Sequence, residues 1–297
     1  MSTIDRDISG VTRDRGEGNL ERIRMQSDLA SAEIYLHGAH VTHFQPRDSA
    51  HPVLWMSKSS VFKSDKPIRG GIPICFPWFG PKADDPKAPA HGFARTRDWT
   101  LESVQHGESG AILIAFNIKS DEATKRLWDA DFAAHYLVSV GSELSVHLSV
   151  QNLGLNLIRF EEALHSYFVV GNAQQTEVRG LDGASYLDRL RPAATFKQDD
   201  QPIRFAAETD RTYINTDAMT TIIDPVLDRR ITNRKVNSNS TVVWNPWIAK
   251  AKAMADFGDD EWPGMVCIET ANAGPNAVEL PAGQQHSMSA VISVENG

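Results

Sequence analysis

Two cysteines, Cys75 and Cys267, are the only thiols in 297 residues. They lie far apart among apolar neighbours. That excludes a disulfide framework and fits buried free thiols in a reducing compartment. No dense run of lysine or arginine appears, and the net charge is −8. Neutralising a nucleic-acid backbone needs clustered cations, so nucleic acid is excluded as a partner. No uninterrupted apolar run approaches the roughly 20 residues that cross a bilayer. The opening Met1-Ser2-Thr3-Ile4-Asp5-Arg6-Asp7 is polar, with no signal-peptide core behind it. A soluble cytoplasmic protein without a membrane partner is expected.

Several chemical signatures are missing as well. There is no G-x-x-x-x-G-K-S/T and no G-x-G-x-x-G, so no nucleotide phosphate loop. There is no G-x-S-x-G for a serine hydrolase, and no Cys/His pairing has zinc spacing. The acidic residues Asp256, Asp259, Asp260 and Glu261 do not match the twelve-residue calcium loop and read as a solvated loop. Neither a metal nor any other cofactor is expected.

What is present is a chain of short extended segments. Ser31–Leu36 and Ala39–Phe44 flank the turn His37-Gly38. Ala111–Ile118 is apolar, and Phe132–Val140 and Glu143–Val150 form a hairpin around Gly141-Ser142. Leu144, Val146, Leu148 and Val150 alternate with Ser145, His147 and Ser149, a period of two. Thr220–Ile223, Thr241–Trp244, Ala277–Leu280 and Ser287–Val294 continue the series. Helical signals are confined to Asp121–Trp128 and to 247–254, where Asn245 and Pro246 suit the start and Gly258 the stop. Many short strands and few short helices imply an all-β sandwich. Residues 1–20 read as a poorly ordered lead-in, and 21–297 as a single domain.

Two runs carry ionisable residues where apolar ones belong. His165 sits in Glu161–Val170 on the face shared with Ala163, Tyr167 and Val169. Glu269 sits in Met265–Thr270 on the face of Met265 and Cys267, with Val266 and Ile268 turned the other way. A charge in such a strand loses hydration and needs a partner or a task. Between Ser57 and Trp99 the chain is irregular, rich in glycine and proline, yet dense in apolar residues. A long loop that is nevertheless packed is usually functional. Its polar members include Arg69, His91 and Arg95, and arginine grips two phosphate oxygens at once.

Six ordered motifs run through the chain: Ile68-Arg69-Gly70-Gly71-Ile72-Pro73, His91-Gly92-Phe93-Ala94-Arg95, Leu164-His165-Ser166-Tyr167-Phe168, Glu208-Thr209-Asp210-Arg211-Thr212-Tyr213, Val243-Trp244-Asn245-Pro246-Trp247 and Cys267-Ile268-Glu269-Thr270-Ala271-Asn272. With them the chain resembles the glucose-6-phosphate 1-epimerases, or hexose-6-phosphate mutarotases, of the aldose 1-epimerase superfamily. The resemblance spans about residues 20–295. It implies a galactose-mutarotase-like β-supersandwich with a carbohydrate cleft. It places a catalytic pair on His165 and Glu269, and substrate contacts on Arg69, Arg95 and Asp210. Family members often carry glutamine just before the His-Gly pair, whereas this chain has Ala90.

The reaction so implied interconverts the α and β anomers of a hexose 6-phosphate. Glu269 as carboxylate takes the proton of the anomeric hydroxyl, and protonated His165 donates to the ring oxygen. The ring opens, C1–C2 rotates, and reclosure reverses the roles. His91 would orient the sugar. The expected partner is a small sugar phosphate, and the expected state a monomer. Two rival readings are a mutarotase of unphosphorylated aldoses and a non-catalytic carbohydrate-binding protein.

Overall fold

Strand pairing dominates the chain. The structure, a computed structural model, describes residues 8–192 and 194–297. A four-stranded antiparallel meander comes first: Val11–Arg15, Glu21–Gln26, Ala30–Tyr35 and His40–Pro46. Two large sheets follow. The nine-stranded sheet includes Gln285–Asn296, Leu144–Asn152, Phe132–Val140 and Ile112–Lys119 as neighbours. The eight-stranded sheet runs through Thr209–Ile214, Ser240–Asn245, Met265–Asn272, Glu162–Leu164 and Ile74–Cys75 in that order, with Tyr167–Val169 also on Met265–Asn272.

Side-chain alternation decides what these sheets bury. Val138 and Val146 of the hairpin, Ile292, Ile34 and Val41 of the meander, and Val266 and Ile268 of Met265–Asn272 all enter one continuous apolar core. Fully burying each such side chain contributes about 1.5–3 kcal/mol. The alternate residues Met265 and Cys267 face away from that core and pack with Trp55, Tyr167, Trp244 and Phe257. That second face is where Glu269 points. One strand thus anchors the fold with half its side chains and supplies the site with the rest.

Among the described residues there are only two α-helices, Glu122–Leu127 and Trp247–Ala253. The first starts on a capping box, with Asp121 accepting from the Thr124 N–H. At the second, Asn245 accepts from the Trp247 N–H at 2.9 Å. This helix ends at Ala253, well before Gly258, whose N–H instead donates to Glu261.

The lead-in expectation needs correction where it can be examined. Residues 1–7 lie outside the described residues, but Val11–Arg15 is a strand paired with Glu21–Gln26. Cross-strand ion pairs hold it: Arg13 with Glu21, and Asp14 with Arg22 and Arg24. Its stability does not come from an apolar stripe, so period-two hydrophobicity could not reveal it. Among the described residues no helix is long and apolar enough to cross a membrane.

Candidate active site

The antiparallel register brings position 165 opposite position 269. Glu162 pairs with Asn272, Leu164 with Thr270, and Tyr167 with Cys267. His165 and Glu269 occupy the facing positions between these pairs. The run 161–170 is not one continuous strand, however. It breaks at His165-Ser166, where the His165 N–H donates to Pro73 O at 3.1 Å. The break still leaves His165 on the face of Tyr167. His165 Nε2 approaches Glu269 Oε1 to 3.3 Å, and both side chains are buried. The two groups are thus in direct contact. His165 Nδ1 and Glu269 Oε2 have no partner among the described residues.

Burial sets the proton affinities of the pair. It pushes Glu269 well above the usual carboxylate range, with Asp210 adding to it and Arg189 and Arg95 opposing. It pushes His165 well below the ordinary imidazole value, helped by the positive charges of Arg95 and Arg69. Both groups favour their neutral forms in the free protein.

The irregular segment before Trp99 is packed over 71–80, where Ile72, Ile74, Cys75 and Phe76 are fully buried, whereas 58–67 and 81–91 are intermediate or exposed. Gly71 has φ +61° and lies so near Val41 O that a Cβ would sit 2.2 Å away. This approach carries Arg69 to the site. Arg69 Nη1 donates to the Tyr167 hydroxyl at 3.0 Å, while Nε and Nη2 grip Asp256 at 3.0–3.2 Å. Burial works against its charge, but Tyr167 and Asp256 outweigh that and hold it firmly protonated.

Arg95 lies in the Ala94–Thr96 turn and is 8% exposed. Its Nη2 donates to Ala90 O at 2.8 Å, and its Nε is buried without a partner among the described residues. Such a guanidinium is short of acceptors. His91 stands at φ +62°, and its ring meets Phe79 edge-on at 4.8 Å and His165 at 5.7 Å. His91 Nδ1 accepts from the Gly80 N–H at 3.3 Å, so its proton resides on Nε2. Burial, then Arg95 and His165, hold this ring neutral, well below the ordinary value. Asp210, on Thr209–Ile214, is pushed up to about 6 by burial despite the Arg189 charge.

Three neighbours carried no role in the sequence reading. Arg189 stands 3.7 Å from Asp210 and over the Phe79 ring at 4.8 Å. Tyr167 stacks on His165, and Asp256 holds Arg69. Asp256 and Glu261 also correct the solvated-loop expectation, since Glu261 accepts from the Ser57 hydroxyl and the Lys58 N–H. Its one sequence signal was Phe257, an aromatic residue beside the acid, which is buried against Trp55.

The arrangement is a buried acid–base pair bordered by three arginines, a neutral histidine and a carboxylate. A family model described as Aldose 1-epimerase matches residues 21–293. A protein of Escherichia coli (strain K12) named "Putative glucose-6-phosphate 1-epimerase" is 35% identical over 268 residues, 90% of this chain and 88% of that one. A solved structure from Salmonella typhimurium, described as a "putative mutarotase", superposes with a TM-score of 0.91 at 30% identity, over 99% of this chain and 97% of the other. A galactose mutarotase-like protein from Clostridium acetobutylicum shares the fold at TM-score 0.75 and 15% identity, over 97% and 98% of the two chains. The β-sandwich is therefore galactose-mutarotase-like, and the chain belongs to the aldose 1-epimerase family and is an isomerase of that type.

Proposed function

We propose that this isomerase interconverts the α and β anomers of a hexose 6-phosphate, glucose 6-phosphate first among them. The observation that carries the reading is the 3.3 Å contact of His165 with Glu269 among Arg69, Arg95 and Arg189. The anomeric oxygen and the ring oxygen share one carbon, so two groups this close can serve both. The pair holds one mobile proton. With that proton on His165, Glu269 takes the anomeric proton while His165 protonates the ring oxygen, and the C1–O5 bond opens. Rotation about C1–C2 and reclosure with the roles exchanged gives the other anomer. A positioned acid or base contributes roughly 10²–10⁴-fold.

Arg95, with its unpartnered Nε, and Arg69 are the phosphate ligands in this reading, and Arg189 extends the same positive rim. Asp210 accepts from a sugar hydroxyl, and His91 donates from Nε2 to a ring or hydroxyl oxygen. The name of the Escherichia coli relative, which specifies glucose 6-phosphate, supports the choice of sugar. A monomer acting on a small sugar phosphate in the cytoplasm completes the reading. The core shared between the sheets supports one domain over 21–297.

Anomer exchange followed by NMR on glucose 6-phosphate and on glucose tests the proposal. Catalysed exchange with a clear preference for the phosphorylated sugar is expected. Equal or better exchange of free glucose transfers the reading to unphosphorylated aldoses. Binding of either sugar without exchange leaves a carbohydrate-binding protein.

A further inference from the structure

A second buried carboxylate meets a second histidine just upstream of the pair. Glu162 is fully buried. Its Oε1 accepts from Asn272 Nδ2 at 2.9 Å and lies within hydrogen-bond distance, 2.8 Å, of His286 Nε2. Its Oε2 is buried with no partner among the described residues. Asn272 also donates to Asn237 O at 2.9 Å and accepts from the Asn239 N–H at 2.8 Å. Glu162 begins the strand that leads to His165, and Asn272 ends the strand that carries Glu269. His286 belongs to Gln285–Asn296, in the other large sheet.

At about 3.3 Å per residue along a strand, this cluster stands roughly 10 Å from the acid–base pair. It does not reach a sugar bound there. What it does reach is the register. Glu162 and Asn272 are themselves a facing pair, three positions from His165 and Glu269 respectively. Between the Leu164–Thr270 and Tyr167–Cys267 pairs the His165 N–H donates to Pro73 O and the Ser166 N–H to Leu164 O, while Ser166 O accepts from the Ile268 N–H at 3.2 Å. The His165 N–H is therefore given to a different segment at the point where it must face Glu269, and a single main-chain bond at the next residue ties the two strands there. A slip of one residue would turn either side chain to the opposite face.

We propose that Glu162, bonded by Asn272 and His286, is the positioning residue of the acid–base pair: it bolts the strand before His165 to the strand of Glu269 and both to the second sheet. Its buried, half-satisfied carboxylate is tolerated for the alignment it enforces. Displacing a reacting group by about 1 Å can cost 10²-fold in rate.

Glu162→Ala tests this directly, and His286→Ala tests it without emptying the core, because the His286 side chain is 21% exposed. In both variants kcat should fall by roughly 10-fold or more with KM nearly unchanged. Glu162→Gln keeps an acceptor for both partners and should recover kcat to within about threefold of the parent. The Glu162→Ala/His286→Ala double variant should lose little more than Glu162→Ala alone. A folded His286→Ala protein with parental kcat overturns the proposal. So does a loss confined to KM, or a Glu162→Gln variant as impaired as Glu162→Ala.

Discussion

Tyr167 lies almost flat against His165, with ring centroids 4.7 Å apart and planes 8° from parallel. The same phenol accepts a hydrogen bond from Arg69 at 3.0 Å. One side chain therefore links an arginine of the rim to the imidazole. Tyr167→Phe keeps the stack and removes only the hydroxyl. Losing a bond to a charged donor costs about 1.5–3 kcal/mol. KM for the phosphorylated sugar should rise while kcat holds, and steady-state kinetics on glucose 6-phosphate checks this. Equal losses in both parameters would mean that the hydroxyl serves His165 rather than Arg69.

Removing either member of the pair should abolish most of the chemistry. His165→Asn and Glu269→Gln each preserve shape and should lower catalysed anomer exchange by at least about 10²-fold. Circular dichroism should show the fold intact. Near-parental exchange in either variant takes that residue out of the mechanism.

Arg69→Ala should raise KM for glucose 6-phosphate by about 10-fold or more while leaving free glucose much less affected. If both sugars weaken alike, the phosphate role passes to Arg95 and Arg189. Asp256→Ala is the companion, because it frees the Arg69 fork without removing its charge. It should change selectivity between the two sugars more than it changes kcat.

Asp210 carries a stability consequence with a definite sign. Its value is raised from 3.8 to about 6 in the fold, so the fold favours the protonated form. The favourable contribution is present below about 3.8 and is lost as pH rises through about 6. Above that the buried charge opposes folding. Asp210→Asn should therefore stabilise the protein by about 1 kcal/mol at neutral pH, a gain that vanishes in acid. It should weaken sugar binding at the same time. Thermal unfolding across pH reads the first effect, and KM the second.

Arg95 and Arg69 help to hold His165 neutral, and a phosphate on them offsets part of that field. Proton affinity at His165 then rises when a phosphorylated sugar binds, and not when free glucose does. An acid is lost as pH rises through its pKa. The alkaline limb of kcat should lie at higher pH for glucose 6-phosphate than for glucose. Coincident limbs would show that the phosphate is held away from His165.

How far the sequence could be read depended on where hydrophobicity was the signal. The hairpin Phe132–Val140 with Leu144–Asn152 was legible because alternating apolar residues fill one core. His165 and Glu269 stood out because they interrupt such runs. Val11–Arg15 did not, since charges across the strand hold it. Arg189 sits in Leu187-Asp188-Arg189-Leu190-Arg191, indistinguishable from an exposed turn until Phe79 and Asp210 are brought beside it from distant positions. The 3.3 Å closeness of the pair was likewise invisible, because the register of two strands is set by the partners each finds across the sheet.

The left-handed backbone at His91 bears on engineering. A side chain other than glycine at φ +62° carries local strain of order 1–3 kcal/mol. Glycine there would relieve that strain while removing a ring packed on Phe79, and a screen scored on heat tolerance alone would weigh only those two terms. Where relief of strain wins, such a library would converge on tougher proteins that have discarded an imidazole 5.7 Å from His165. Selection at position 91 therefore has to be scored on turnover as well as heat tolerance, because the role proposed for His91 sets catalysis against thermal resistance there.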